Sequence, residues 1–147
     1  MSTVTIRQRQ SVASRRLGYA VAVGVNSLLF YLVNVSPGWA VLPFLSPATT
    51  EILASVNAML IAGVAANVVY AAWDPRWFKA LGDVVTTSIG LAAMLRVWQV
   101  FPFDFGESSI DWTTVARVAL AVGIGGSAVA LLVAVVTFFR SVSSSRR

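Results

Sequence analysis

Four long apolar runs fix what this chain can fold into. Leu17 to Val35, Thr49 to Trp73, Asp83 to Phe101 and Thr113 to Phe139 carry so few charges that water is a poor solvent for them. The first, LGYAVAVGVNSLLFYLVNV, rises about 28 Å as a helix, close to the ~30 Å hydrocarbon thickness of a bilayer. Lipid offers a backbone amide no partner, so such runs close their hydrogen bonds internally as α-helices. Composition agrees: 57% of the 147 residues are hydrophobic and 12% charged, about half the charged share of a soluble domain. The expected fold is an all-α membrane protein, four transmembrane helices in an antiparallel bundle over residues 17–139. A basic segment, 1–16, precedes it and a basic tail, 140–147, follows.

Local signals mark the helix ends. RQRQSVASRR before the first run resembles the start of a signal peptide. The apolar core is longer than an h-region, however, and no small-x-small site follows, so an uncleaved anchor is expected. SPGWAVLPFLSPA breaks the chain with prolines. Ser46-Pro47 then reads as an N-cap and first-turn pair, with Glu51 complementing the positive end of the second helix. Asp74-Pro75 reads the same way and predicts a short interfacial helix, with Trp73, Trp77 and Phe78 at headgroup level. The third run stops at Pro102. After FDFGESSIDW, Ser108 with Asp111 three residues later fits a capping box.

Basic residues set the orientation. Arg7, Arg9, Arg15 and Arg16 precede the first run, Arg76 and Lys79 lie between the second and third, and Arg140, Arg146 and Arg147 follow the fourth. The two remaining loops hold no Lys or Arg, and four of the six acids (Glu51, Asp104, Glu107 and Asp111) belong to that opposite side. The positive-inside rule makes the basic side cytoplasmic, with both termini on it. The net charge of +5 therefore suits anionic lipid headgroups, and no nucleic acid is expected as a partner. The plasma membrane is the expected location.

Cysteine and histidine are both absent. Disulfides, thiolate nucleophiles, imidazole bases and most transition-metal ligand sets go with them. Asp104-Phe105-Gly106 spells a kinase motif without a kinase's other parts, and Gly123-Ile124-Gly125-Gly126 lies inside a span with no following Lys-Ser/Thr. No catalytic, cofactor or metal site is expected, and no cofactor.

Polar residues within the runs are the remaining candidates. Arg96 lies about 7–8 Å below the end of the third span, within reach of the interface by snorkelling. With Gln99 on its face and Arg117 at the same level, it forms a possible outer polar cluster with Glu51, Asp104 and Asp111 (Glu107 is a further partner). Ion pairing is the structural reading; a solute contact is the functional one. Asn26, Asn57, Asn67 and Tyr70, together with Asn34, offer intramembrane polar contacts, either between helices or along a solute path. Small residues at four-residue spacing, Ala119, Gly123 and Ser127, then Gly126, Ala130 and Ala134, suit close packing within the chain or between copies.

The span count is similar to that of small multidrug transporters, but residues 17–35 lack the glutamate those use. Four-span fluoride channels insert in both orientations, which the charge bias here opposes. Gly24-Val25-Asn26 resembles an early glycine and asparagine of GtrA-like proteins, which assist polyprenyl-linked sugar transfer. The basic, Asn-rich end of their second span is not matched around Asn67. Span count and isolated residues are all that is shared. The expected role is a non-catalytic accessory or assembly component that binds partners through its helices, in a larger membrane complex or a homo-oligomer. The alternative is a homo-oligomeric transporter or channel subunit with an Asn-lined path.

Overall fold

The computed structural model describes residues 11–146, Ser145 in its backbone only. Four helices form: α1 Val12–Asn34, α2 Leu53–Ala72, α3 Arg76–Val100 and α4 Trp112–Ser145. All four are long and apolar enough to cross a membrane.

Their ends follow local chemistry, with some departures from the sequence reading. α1 starts ahead of its apolar run because the Ser11 hydroxyl accepts the Ser14 amide at 3.1 Å, which carries Arg15 and Arg16 onto the helix. The second run is divided. Pro47–Glu51 is a 3₁₀ turn and α2 begins only at Leu53, so Glu51 closes the turn rather than opening the helix. Ser46 makes no side-chain cap there. The Thr50 hydroxyl donates to the Pro47 carbonyl at 2.9 Å, a local bond of the kind that competes with an α-helical start.

No separate interfacial helix forms after Asp74. α3 begins at Arg76, behind an extended Pro75, and runs through to Val100 without a breaker. Trp77 and Phe78 belong to its first turn, where their rings meet Trp73 and each other at 4.8 to 5.9 Å. α3 ends at Phe101, whose left-handed φ of 45° turns the chain into Pro102. Asp111 caps α4 by accepting the Thr114 amide at 3.0 Å and its hydroxyl at 2.6 Å. Ser108 takes no part in that cap. Its hydroxyl accepts the Ile110 amide, making a small turn of its own.

The helices pack in chain order: α1 on α2, α2 on α3, α3 on α4. No sustained contact joins α1 to α4 among the described residues, so the arrangement is an open row. The start of α1 meets the end of α2 through Tyr19 and Tyr70, and the end of α1 meets the start of α2 through Asn34 and Asn57. Tyr70 near the end of α2 reaches Asp83 near the start of α3, and Arg117 of α4 covers Phe101 at the end of α3.

Small residues mark the crossings. Gly63 faces Asn26, Gly82 faces Tyr70, and Gly123 faces Met94. Leu60, Tyr70, Ala80 and Ala93 are the buried core of α2 and α3. Large apolar side chains such as Leu17, Val25, Val122 and Leu132 stand open on the outer helices, a surface suited to lipid. At the acidic end the two long connections are tied together. The Ser46 amide donates to the Pro102 carbonyl at 2.8 Å, and the Asp104 amide to that of Phe44 at 2.9 Å.

Candidate functional site

Polar side chains converge most densely at the basic end, where α1, α2 and α3 come together. Asp74, in the link between α2 and α3, accepts the Tyr19 hydroxyl at 3.0 Å and lies 3.8 Å from the Arg15 guanidinium. Asp83, on α3, pairs with Lys79 one turn earlier at 2.7 Å. The Tyr70 hydroxyl lies 3.3 Å from Asp83 and 3.2 Å from the Lys79 carbonyl, so its single proton serves one acceptor at a time. The Tyr19 and Tyr70 rings sit 5.7 Å apart and join the two halves of the network. Lys79 also stands over the Tyr70 ring, 5.3 Å from its centroid.

This convergence depends on Gly82. A Cβ there would collide with the Tyr70 hydroxyl and lie 2.9 Å from its Cζ, so only glycine lets the buried tyrosine reach Asp83. Beyond the network, Arg76, Lys79, Arg140 and Ser144 line a recess between the start of α3 and the end of α4. Among the described residues no group of three or more Asp and Glu comes together as a metal site would require.

At the acidic end, the residues proposed as a polar cluster are not brought together. Arg96 and Gln99 are exposed, and the Arg96 side chain makes no ion pair or hydrogen bond among the described residues. Arg117 stacks on aromatic rings instead, 4.2 Å from the Phe101 centroid and 5.1 Å from that of Trp98. Such a contact needs no carboxylate. The acids have local duties or none. Asp104 accepts the Gly106 amide at 3.1 Å, Asp111 caps α4, and Glu51 and Glu107 are exposed. The Thr114 hydroxyl and amide hold the Asp111 carboxyl below the usual carboxylate range.

The asparagines divide between self-satisfaction and pairing. Asn26 donates to the Ala22 carbonyl at 2.8 Å while its amide packs on Gly63. Asn67 donates to the Gly63 carbonyl at 2.7 Å, so both asparagines converge on one glycine of α2. Asn34 and Asn57 exchange two reciprocal amide bonds of 2.8 Å between α1 and α2. Of the small residues in α4, Gly123 and Ser127 pack on Met94 of α3, with the Ser127 hydroxyl 3.5 Å from its sulfur. Ala119, Gly126 and Ala130 remain open, and a Cβ at Gly126 would meet nothing.

The sequence reading singled out Tyr70 but missed Tyr19, Asp74, Asp83 and Gly82 as its neighbours. A signal was present in part: Lys79 and Asp83 are four residues apart, the spacing of a helical ion pair. No family model, curated protein or solved structure matches the chain.

Proposed function

We propose that the chain is a non-catalytic, multi-pass membrane protein that binds partner helices as an accessory or assembly component. Its four helices alternate in direction across the bilayer, and both termini are cytoplasmic. One observation carries this reading. Each asparagine amide already donates to a helix carbonyl or to another asparagine, inside an open row of helices whose ends do not meet. A transport path needs polar groups free to face a solute, whereas a row with two open edges has apolar faces for other helices. The alternation is supported by the contacts between successive helix ends and by the placement of every loop Lys and Arg on one side. Anionic headgroups at that side suit the recess that carries Arg76, Lys79 and Arg140.

Single-cysteine labelling tests the arrangement, since the chain has no native cysteine. A membrane-impermeant thiol reagent should reach Ser109→Cys from outside the cell and Ser144→Cys only from the cytoplasmic face. Asn26→Cys should stay protected; its ready labelling would instead support a water-filled path. Co-purification of a larger membrane protein in stoichiometric amount supports the accessory role. A homo-oligomer that conducts a solute in liposomes would replace that role with transport.

A further inference from the structure

The recess at the basic end holds more positive charge than its own residues balance. It has a volume of about 390 Å³ and lies between the start of α3 and the end of α4. Arg76, Lys79 and Asp83 line it from α3, and Thr137, Arg140 and Ser144 from α4. Asp83 is its one carboxylate, and both of its oxygens have partners. Oδ2 takes Lys79 at 2.7 Å, and Oδ1 faces the Tyr70 hydroxyl at 3.3 Å. Arg76 and Arg140 are exposed, and neither guanidinium makes an ion pair or hydrogen bond among the described residues. Three cations against one carboxylate leave the recess two charges positive. The hydroxyls of Thr137, Ser141 and Ser144 donate to carbonyls of α4 itself. The donors with capacity to spare are therefore the cationic ones.

We propose that this recess binds the phosphate of an anionic glycerophospholipid through Arg76 and Arg140. Charge and donor geometry select phosphate. The recess is uncompensated, and a planar guanidinium presents paired N–H groups that match phosphate oxygens. Position selects a lipid over a soluble phosphate ester. Arg76 to Asp83 and Thr137 to Ser144 each rise about 10 Å. The recess therefore runs inward from the ends of two membrane-length helices. One turn deeper than Thr137, Val133 is 59% exposed, and Ala130 and Gly126 continue that open face of α4. A headgroup in the recess has apolar surface beneath it for its acyl chains, which a soluble ester would leave unused. Binding here rests on the multi-pass reading above. It is measured on the purified chain, whereas cysteine labelling tests the topology, so each can fail alone.

The test is native mass spectrometry of the full chain, purified in an alkyl glycoside and titrated with three probes. These are dioleoyl phosphatidylglycerol, dioleoyl phosphatidylcholine, whose choline brings a positive charge of its own, and glycerol 3-phosphate. The wild-type chain should bind one phosphatidylglycerol in preference to phosphatidylcholine, and glycerol 3-phosphate should not displace it. Arg76→Gln and Arg140→Gln should each weaken phosphatidylglycerol by about 5-fold, the factor for one basic residue at an anionic surface. Arg16→Gln removes the same charge at the same end but outside the recess, and should leave binding within about 2-fold. All three variants change exposed side chains, so the fold is retained and binding alone is read. Equal weakening by Arg16→Gln would overturn the proposal, since it would mean diffuse attraction to the basic end. So would equal binding of the two lipids by the wild type. Displacement by glycerol 3-phosphate at matched concentration would also overturn it, by making the occupant a soluble phosphate ester.

Discussion

The two ends of the helix row are held together by different chemistry. At the basic end, side chains carry the connections: Tyr19 to Asp74, Tyr70 to Asp83, and Arg15 beside Asp74. At the acidic end, backbone ties one loop to the other through the Ser46 and Asp104 amides, with the Asn34–Asn57 pair and Arg117 over Phe101 beside them. Chain geometry accounts for the difference. Only Trp73–Pro75 separates α2 from α3, too little to supply a backbone ladder, so polar side chains do the linking. The acidic end has two long connections, whose extended segments meet at Leu45 and Phe103. At the basic end Arg15, Asp74, Lys79 and Asp83 therefore take part in the connections, whereas the charged residues of the acidic end are mostly surface groups.

The largest expected effect breaks the basic end at its tightest point. Gly82→Ala places a methyl group against the Tyr70 hydroxyl, backed by the Tyr70 ring at 2.9 to 3.0 Å. Overpacking of this kind costs about 1–3 kcal/mol, more than alanine's helix propensity returns. Thermal unfolding in detergent should show the loss. Tyr70→Phe in the same chain should recover part of it, because the closest clashing atom is the hydroxyl oxygen. If Gly82→Ala unfolds like wild type, the side-chain connection at this end is not close-packed.

The next effect lies between the two ends in kind, a side-chain link near the acidic loops. Asn57→Leu leaves the Asn34 amide without its partner on α2, although Asn34 keeps its bond to the Phe30 carbonyl. Interhelical polar contacts in membranes are worth about 0.6 kcal/mol on average and up to about 1.7. The loss should fall in that range. Asn34→Leu combined with Asn57→Leu should be less destabilising than the two single losses added together, which a double-mutant cycle in detergent would measure.

The helices themselves could be read from the sequence, since runs of apolar residues at bilayer length have few other solutions. Their arrangement could not. In a soluble bundle an amphipathic stripe shows which face is inside. Here Val122 and Leu132 on the open side of α4 are as apolar as anything packed against α3, so periodicity carries no record of neighbours. An antiparallel bundle is what the four runs predict, and the contacts add the packing order that the runs do not carry: α1 on α2, α2 on α3 and α3 on α4. Among polar residues, the asparagines were singled out but the reciprocal Asn34–Asn57 match was not, because it joins residues far apart in the chain. Tyr19 and Asp74 are further apart still: Asp74 reads in the sequence as a helix cap, and nothing local points it at Tyr19. The arginines differ for another reason. Four acids on the same side suggest ion pairs, but among the described residues Arg117 makes none and lies over Trp98 and Phe101 instead.

A smaller effect at the acidic end depends on pH. The Asp111 carboxyl is held below its ordinary range by Thr114, so its unfolded-state value is the higher one. Its contribution is fully present above that unfolded value, about 3.9, and is lost as pH falls through the lower folded value. The unfolding temperature should therefore decline in acid more for the wild type than for Asp111→Asn, which cannot titrate there. Parallel declines in the two chains would leave the cap without a measurable role.

The smallest expected effect separates two arginines that occupy the same end and look alike in the sequence. Arg117 lies over two rings, and a planar guanidinium stacks there in a way an ammonium does not reproduce. Arg117→Lys should cost about 0.5–1 kcal/mol, the scale of an exposed cation–π contact. Arg96 is exposed with no side-chain partner among the described residues, so all it requires of its environment is that its charge reach the interface. Lysine snorkels as well, and Arg96→Lys should change the unfolding temperature by less than about 0.5 kcal/mol allows. Partner co-purification should be equally unaffected. Loss of a partner from an otherwise stable Arg96→Lys chain would mean that the guanidinium is recognised by something outside this chain. The acidic end would then hold a contact residue after all, made by exposure and not by the cluster its sequence suggested.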